Sequence, residues 1–432
     1  MIGALATPAL YRGISQLAAP AIDLWLAHRR KQGKEDTARF AERFGHAGLP
    51  RPDGRLAWAH GASVGEALAV LPLAERLVAE GFHVLITSGT VTSAHILEKR
   101  LGTGMTHQYV PIDRPTAVRR FLDHWRPELA IWVESELWPN LVLGTAARAI
   151  PMVMVNARMS ERSARRWRTM PRLIKPLLGA FSAVLAQSEA DGERLRALGA
   201  GSVSLGGNIK YDAPPLPVDA VALQRFTNEL GGRPHWLAAS THPGDEAAAC
   251  QAHTALAGEI PGLITLIALR HPARTAEIAD MLRARGITPA IRSRGEAITS
   301  DTEIYIADTL GEMGLLYRAV GTVFIAGSLG DHGGHNPVEP ALLENALLAG
   351  PDMRNFDDAC TALQAAGALT RIARADDLAA ALRPLMSDTA QQRQQAAAAL
   401  ATAGALGGAS DKALKEILRL IEGAGKLAHA HA

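Results

Sequence analysis

Short apolar runs recur along the chain between longer stretches in which Ala, Glu and Arg alternate with aliphatic residues. In the first half the runs are Leu56–His60, His83–Thr87, Leu129–Val133, Met152–Asn156 and Ala183–Gln187. Such continuous runs, set between helical stretches, are the pattern of parallel strands buried on both faces. Several of the intervening stretches stop at a glycine, at Gly81, Gly102 and Gly199, as helices do. The pattern restarts after Ala213-Pro214-Pro215-Leu216-Pro217, where three prolines mark a stiff linker. Runs at Trp236–Ser240, Leu263–Leu269, Glu303–Ala307, Thr322–Ala326 and Ala346–Ala349 follow, and an Ala-rich helical tail covers 376–425. The expectation is an α/β chain with two doubly wound domains, 51–207 and 218–432, a linker at 208–217 and a helical segment at 1–50 ahead of them.

A length of 432 residues suits two domains. Hydrophobic content of 48% with 20% charged residues excludes a disordered chain. A net charge of +2 gives no global field for nucleic acid. Cys250 and Cys360 lie far apart, so neither a disulfide framework nor a structural zinc site is expected. The N-terminus does change the picture. Met1 to His28 is largely apolar, with Arg12 and Asp23 its charges, and Arg29-Arg30-Lys31 follows. Positive charge after the apolar stretch does not suit a cleaved signal peptide. Pro8, Gly13 and Pro20 interrupt a spanning helix. The segment reads as a membrane-inserted or interfacial anchor, with an apolar helix packed on the body as the alternative.

Candidate chemistry sits where strands end. Gly61-Ala62-Ser63-Val64-Gly65-Glu66 follows the first run and opens a helix expected over Ala67–Ala79. A carboxylate in a first helical turn is favoured in its ionised form and can accept a proton from a hydroxyl. It can equally serve only to complement the helix dipole. Glu134-Ser135-Glu136-Leu137-Trp138-Pro139-Asn140 places two acids at another strand end. Arg270-His271-Pro272 and Asp308-Thr309-Leu310-Gly311-Glu312 follow two more. Gly327 to Glu339 is glycine-rich and leads into a helix, with Asn336 expected as N-cap, Pro337 first and Glu339 third. Gly333-Gly334 there suits a phosphate, and Asn-x-x-Glu suits a plain capping box. Between Asn156 and Lys175, seven cations (Arg158, Arg162, Arg165, Arg166, Arg168, Arg172 and Lys175) stand against one acid, Glu161. That density fits an anionic surface or a phosphorylated acceptor.

Taken in order, these segments resemble the family of 3-deoxy-D-manno-octulosonic acid (Kdo) transferases of lipid A assembly, glycosyltransferase family 30. The matching stretches are 60–66, 134–140, 156–160, Gly207-Asn208-Ile209-Lys210-Tyr211-Asp212, Ser240-Thr241-His242, Arg270-His271-Pro272, Gly311-Glu312-Met313 and Gly333-Gly334-His335-Asn336-Pro337-Val338-Glu339-Pro340, nearly the whole chain. The resemblance implies a GT-B fold, two Rossmann-like domains facing across a cleft, with a membrane-associated N-terminal helix. It implies an inverting, metal-independent enzyme with no cofactor. The enzyme would move Kdo from CMP-Kdo to a hydroxyl of the lipid A precursor (lipid IVA), at the cytoplasmic face of the inner membrane. Glu66 would be the general base, with Glu134 and Lys210 stabilising the transition state. Leu269, Arg270, Leu310, Gly311, Glu312, Asn336, Pro337, Val338 and Glu339 would form the CMP pocket. The partners implied are CMP-Kdo, the lipid acceptor and membrane lipid, with no nucleic acid. The chain departs from the family pattern at Gly61, at Pro243-Gly244-Asp245-Glu246 and at Gly350-Pro351-Asp352. A GT-B enzyme using a UDP-sugar, and a non-enzymatic membrane scaffold that binds sugar or nucleotide, stay open as alternatives. A nicotinamide-dependent enzyme is a poorer reading still, because no Gly-x-Gly-x-x-Gly turn follows the first strand.

Overall fold

The computed structural model describes residues 6–212 and 214–430, with side chains to residue 422. The first five residues of the expected anchor and Ala213 of the expected linker lie outside the described residues. The chain divides into two compact units, Met1–Ala213 with Gly407–Ala432, and Pro214–Leu406.

The first unit is built on a parallel sheet of seven strands: β1 (Leu56–His60), β2 (His83–Ser88), β3 (Met105–Tyr109), β4 (Leu129–Val133), β5 (Met152–Ala157), β6 (Ala183–Ala186) and β7 (Val203–Leu205). Their order is β3-β2-β1-β4-β5-β6-β7. The sheet thus starts at its middle and grows first one way and then the other. Alternate residues of the central strands feed two cores. Trp58 and Trp132 face one side, with ring centroids 4.8 Å apart, and Trp58 meets Phe121 edge-on at 4.9 Å. Ala57, Ala59, Ile131 and Val133 face the other.

That second face carries a correction. The tail was expected with the second domain. Instead, the helix Ala409–Ala430 packs against the first unit, where Ala413 and Ile417 are fully buried. It packs on the helix Leu71–Ala79 and the turn Ile209–Asp212, and burying its apolar face there is favourable at about 25 cal/mol per Å² of apolar area. Asp212 fixes the helix start, accepting hydrogen bonds from the backbone N–H of Gly408, at 2.5 Å, and of Ser410. Residues 209–212 are likewise part of the first unit and not of a linker. They form a 3-10 turn, Ile209–Asp212.

The second unit holds β8 (His235–Thr241), β9 (Ile264–Leu269), β10 (Ala290–Ile291), β11 (Ile304–Ala307), β12 (Thr322–Ile325), β13 (Ala346–Ala349) and β14 (Leu369–Arg371). The order β10-β11-β9-β8-β12-β13-β14 again starts near the middle and is all parallel, but it differs from the first sheet in that β11 lies between β10 and β9. Trp236, Phe324 and Leu348 lie in its core.

At the N-terminus the expected single segment is two helices, Pro8–Leu17 and Ala19–Lys31. Asp23 binds Arg114 at 3.0 Å and Ser15 accepts from Asn140 at 3.0 Å, which tie them to the body. Leu10, Ile14, Leu17, Leu24 and Trp25 are all exposed. No helix among the described residues is long and apolar enough to cross a membrane.

Two histidines in the first unit make its stability pH-dependent. Burial pushes His60 down to about 4 and His107 down to about 3, from an ordinary 6.5. Between those values and 6.5 the unfolded chain binds more protons, so stability falls as pH drops through that window. Chemical denaturation at pH 7 and at pH 5 should show this loss. In His107→Asn the slope over this range should be shallower by about 1 kcal/mol per pH unit. An unchanged slope would refute the assignment.

Candidate functional site

In a doubly wound sheet, the loops that leave the two central strands part in opposite directions and open a crevice at the carboxyl edge. In the first unit those strands are β1 and β4. After β1, Ser63 caps the helix Val64–Ala69, accepting from the Glu66 N–H at 3.3 Å. The Ser63 hydroxyl donates to Glu66 Oε1 at 2.6 Å and the Ala62 N–H donates to Oε2 at 2.9 Å. Glu66 is 8% exposed and held in one orientation. Two donors occupy two of the roughly four lone-pair directions of a carboxylate, which leaves acceptor capacity for a hydroxyl. The turn is tight: a Cβ on Gly61 would stand 2.8 Å from the Ala67 nitrogen. Glycine at this departure from the family pattern is thus required by the approach of the helix. The helix itself is shorter than expected, and a second one, Leu71–Ala79, starts after Val70.

After β4, Glu134 has φ 60°, a left-handed backbone that a non-glycine residue adopts only at a cost. The twist directs its carboxylate to Lys210, whose Nζ donates at 2.7 Å, and to Asn156 Nδ2 at 3.5 Å. Asn156 is itself left-handed, at φ 54°, and its buried Oδ1 has no hydrogen-bond partner. It lies where the pairing of β5 with β6 shifts register. Glu136 belongs to the same group: burial first, then the charges of Glu66 and Glu134, raise its carboxyl above the ordinary range. Glu66, Glu134 and Lys210, proposed from sequence, are thus all in the first unit, and Glu136 and Asn156 join them. Both residues stood in the quoted stretches, but their part is visible only through their neighbours in space.

Beside this unit's edge lies the basic segment. Its helices are Glu161–Arg168 and Pro171–Gly179. Glu161 pairs with Arg165 at 3.3 Å, Arg168 at 3.5 Å and Arg194 at 3.3 Å. Arg162, Arg166, Arg172 and Lys175 are exposed.

In the second unit the central strands are β8 and β12. Leu269 ends β9 and is buried, while Arg270 is exposed. Leu310 is exposed and Gly311 has φ 87°. Glu312 is held by both arms of Arg292, each at 2.6 Å, and these bonds lower its carboxyl below the ordinary range. Sequence reasoning did not find Arg292. The helix after the glycine-rich loop is a single turn, Val338–Ala341, and Pro337 is its cap. That corrects the expected cap at Asn336, and one turn gives little dipole for a phosphate. Asn336 still organises the turn: its Oδ1 accepts from the Val338 N–H at 3.0 Å and its Nδ2 donates to Glu339 at 3.3 Å. Val338 is buried, so only its backbone can meet a ligand. Gly333 and Gly334 have a packing reason as well, since a Cβ would stand 2.5 Å from Asn355 Nδ2 and 2.1 Å from Met353 Sδ respectively.

Asp245, in one of the stretches that depart from the family, proves to be structural. Buried at 2% exposure, its Oδ2 accepts from the His242 N–H at 2.9 Å and the Gly327 N–H at 2.8 Å, joining the loops after β8 and β12. Asp245→Ala leaves two backbone donors unpaired and should destabilise the unit by about 2 kcal/mol or more. Asp245→Asn, which keeps an acceptor oxygen, should cost less. Urea denaturation of both variants checks the difference, and equal losses would contradict it.

Residues 38–213 match the family model for 3-deoxy-D-manno-octulosonic-acid transferase (kdotransferase). The probable mitochondrial 3-deoxy-D-manno-octulosonic acid transferase of Arabidopsis thaliana is 34% identical over 372 residues, covering 84% of this chain and 83% of that protein. The 3-deoxy-D-manno-octulosonic acid transferase of Bordetella pertussis is 33% identical over 422 residues, covering 93% and 98%. Among solved structures, UDP-GlcNAc 2-epimerase from Neisseria meningitidis covers 85% of this chain and 100% of its own, with TM-score 0.62 at 14% identity. A glycosyltransferase from Rickettsia africae covers 86% and 98%, with TM-score 0.60 at 12% identity. These two share the fold alone, two Rossmann-like units of the GT-B type. With relatives more than 30% identical over most of its length, the chain belongs to the 3-deoxy-D-manno-octulosonic acid transferase family.

Proposed function

We propose that this Kdo transferase takes its sugar from CMP-Kdo and adds it, with inversion, to a hydroxyl of the lipid A precursor, without a metal ion. The reading rests on the convergence of Glu66, Glu134, Glu136 and Lys210 at the central crevice of one unit. Direct displacement needs one base on the acceptor side and positive charge for the leaving phosphate. Glu66 is the base, pre-oriented by Ser63 and Ala62. Lys210, positioned by Glu134, supplies charge near the reacting centre. The first unit takes the acceptor. The second takes the nucleotide at Leu269, Arg270, Leu310, Gly311, Glu312 and Asn336 to Glu339. Cations at Lys210 and Arg270, with no Asp-x-Asp motif in the chain, support a metal-free route.

Mass analysis of products from CMP-Kdo and purified lipid A precursor tests the reaction. Glu66→Gln should lower kcat by about 10²–10⁴-fold with CMP binding unchanged. Undiminished turnover would remove Glu66 from its role, and protection by UDP in preference to CMP would favour a UDP-sugar donor instead.

The enzyme works at the inner membrane's cytoplasmic face, held by the exposed Leu17, Leu24 and Trp25 and by the basic helix Glu161–Arg168. Each surface Arg adds about 1 kcal/mol of attraction to an anionic leaflet. Replacing Arg162, Arg165 and Arg166 by Glu should abolish flotation with phosphatidylglycerol vesicles at low salt. Equal flotation with neutral vesicles would refute the electrostatic part.

A further inference from the structure

The second unit carries a histidine cluster that the reaction as described does not use. His242 follows β8 and His335 lies in the loop after β12, so the two meet at the central crevice of that sheet. Their Nε2 atoms are 3.0 Å apart and their rings lie within 10° of parallel. His332 stacks on His242 with centroids 4.0 Å apart, and His271 meets it edge-on at 5.6 Å. Both members of the pair pack on Gly327, where an added Cβ would stand 3.1 Å from His335 and 3.3 Å from His242. The backbone is bent to make the pair: Ser240 is left-handed at φ 61° and the pairing of β8 with β9 shifts register there.

An N···N contact of this length is a hydrogen bond only if one imidazole donates and the other accepts. The pair therefore holds one proton between its two Nε2 atoms, and it is neutral because burial among cations disfavours a further charge. Its surroundings are cationic. Arg270, Arg274, His271 and His332 act on His242, and Arg270 and His332 act on His335. Arg274 is bound by Glu246 at 2.7 Å and by Glu277 at 2.8 Å. The nearby carboxylate Asp245 spends one oxygen on the His242 and Gly327 N–H groups, and its other, buried oxygen has no hydrogen-bond partner. Burial, and then these positive charges, hold both histidines down at about 4. His332 and His271 are exposed, which leaves the cluster a way in from solvent.

We propose that the His242–His335 pair is a proton-coupled site for an anionic oxygen group of the donor, its sugar carboxylate or its phosphate. The proposal rests on the reading of CMP-Kdo as donor. When the anion arrives, one proton from solvent goes to the accepting nitrogen. Both Nε2 atoms are then donors, the bond between them breaks, and both turn to the anion's oxygens. The anion's charge offsets what kept the pair neutral. In the empty site the neutral pair avoids adding a further positive charge beside Arg270.

Calorimetry on the full-length protein tests this, in buffers of different ionisation enthalpy from pH 6 to 8. The probes are free Kdo and CMP. Free Kdo has a carboxylate that stays ionised throughout this range and adds no titration of its own. Wild-type protein should take up protons on binding, and affinity should rise as pH falls, approaching about tenfold per pH unit. His335→Asn and His242→Asn should flatten that dependence. Uptake with Kdo assigns the site to the carboxylate, and uptake with CMP alone, beyond what the variants show, assigns it to the phosphate. The wild-type pH dependence needs no substitution, so it decides the matter even if a variant fails to fold. A wild-type enzyme that transfers Kdo normally but binds both probes without proton uptake overturns this inference and leaves the function standing. One that transfers no Kdo and binds neither probe overturns both.

Discussion

Each sheet begins at its middle. β1 has β2 on one side and β4 on the other, and β8 has β9 and β12, so two loops at each centre must diverge. Everything chemical in the chain hangs on that divergence. It leaves a gap at the carboxyl edge that no backbone fills, and side chains from the parting loops line it together with those of neighbouring strand ends, Asn156, Lys210 and Arg270 among them. In one unit the lining is acidic with a single lysine bound into it. In the other it is imidazole and guanidinium. The same topology carries two opposite chemistries because the loops, not the strands, hold the charged residues.

The local backbone is distorted where the lining needs it. Glu134, Asn156 and Ser240 are all left-handed without being glycine, and two of them coincide with register shifts. Such conformations persist when the surrounding contacts over-determine them. Lys210 and Asn156 do this for Glu134, and the loop tied down by Asp245 does it beside Ser240.

How much of this was legible follows from burial. The ten strands read from apolar runs are the ten interior ones. The four that were missed, β3, β7, β10 and β14, are the four edges. An edge strand is covered less completely, so β3 can read Met-Thr-His-Gln-Tyr and β10 can be two residues long. The carboxylate and lysine of the first unit were legible as motifs because each sits in a short stretch that also holds glycine or proline. Glu136, Asn156 and Arg292 take part through partners distant in sequence, which a linear reading cannot supply. The last helix of the tail was placed with the wrong unit for a related reason: its apolar residues announce a helix but not which unit they pack against.

That last placement bears on how the protein is made. The ribosome delivers β1 to β7 first, and a domain ordinarily folds as it emerges. Here the core on that side of the sheet is completed by Ala413 and Ile417, and the turn bearing Lys210 waits for the Gly408 and Ser410 amides that Asp212 receives. The unit synthesised first is therefore completed last, after the whole of Pro214–Leu406 has been released. A chain truncated within its final helix would keep every motif and still hold its lysine on an unfinished scaffold.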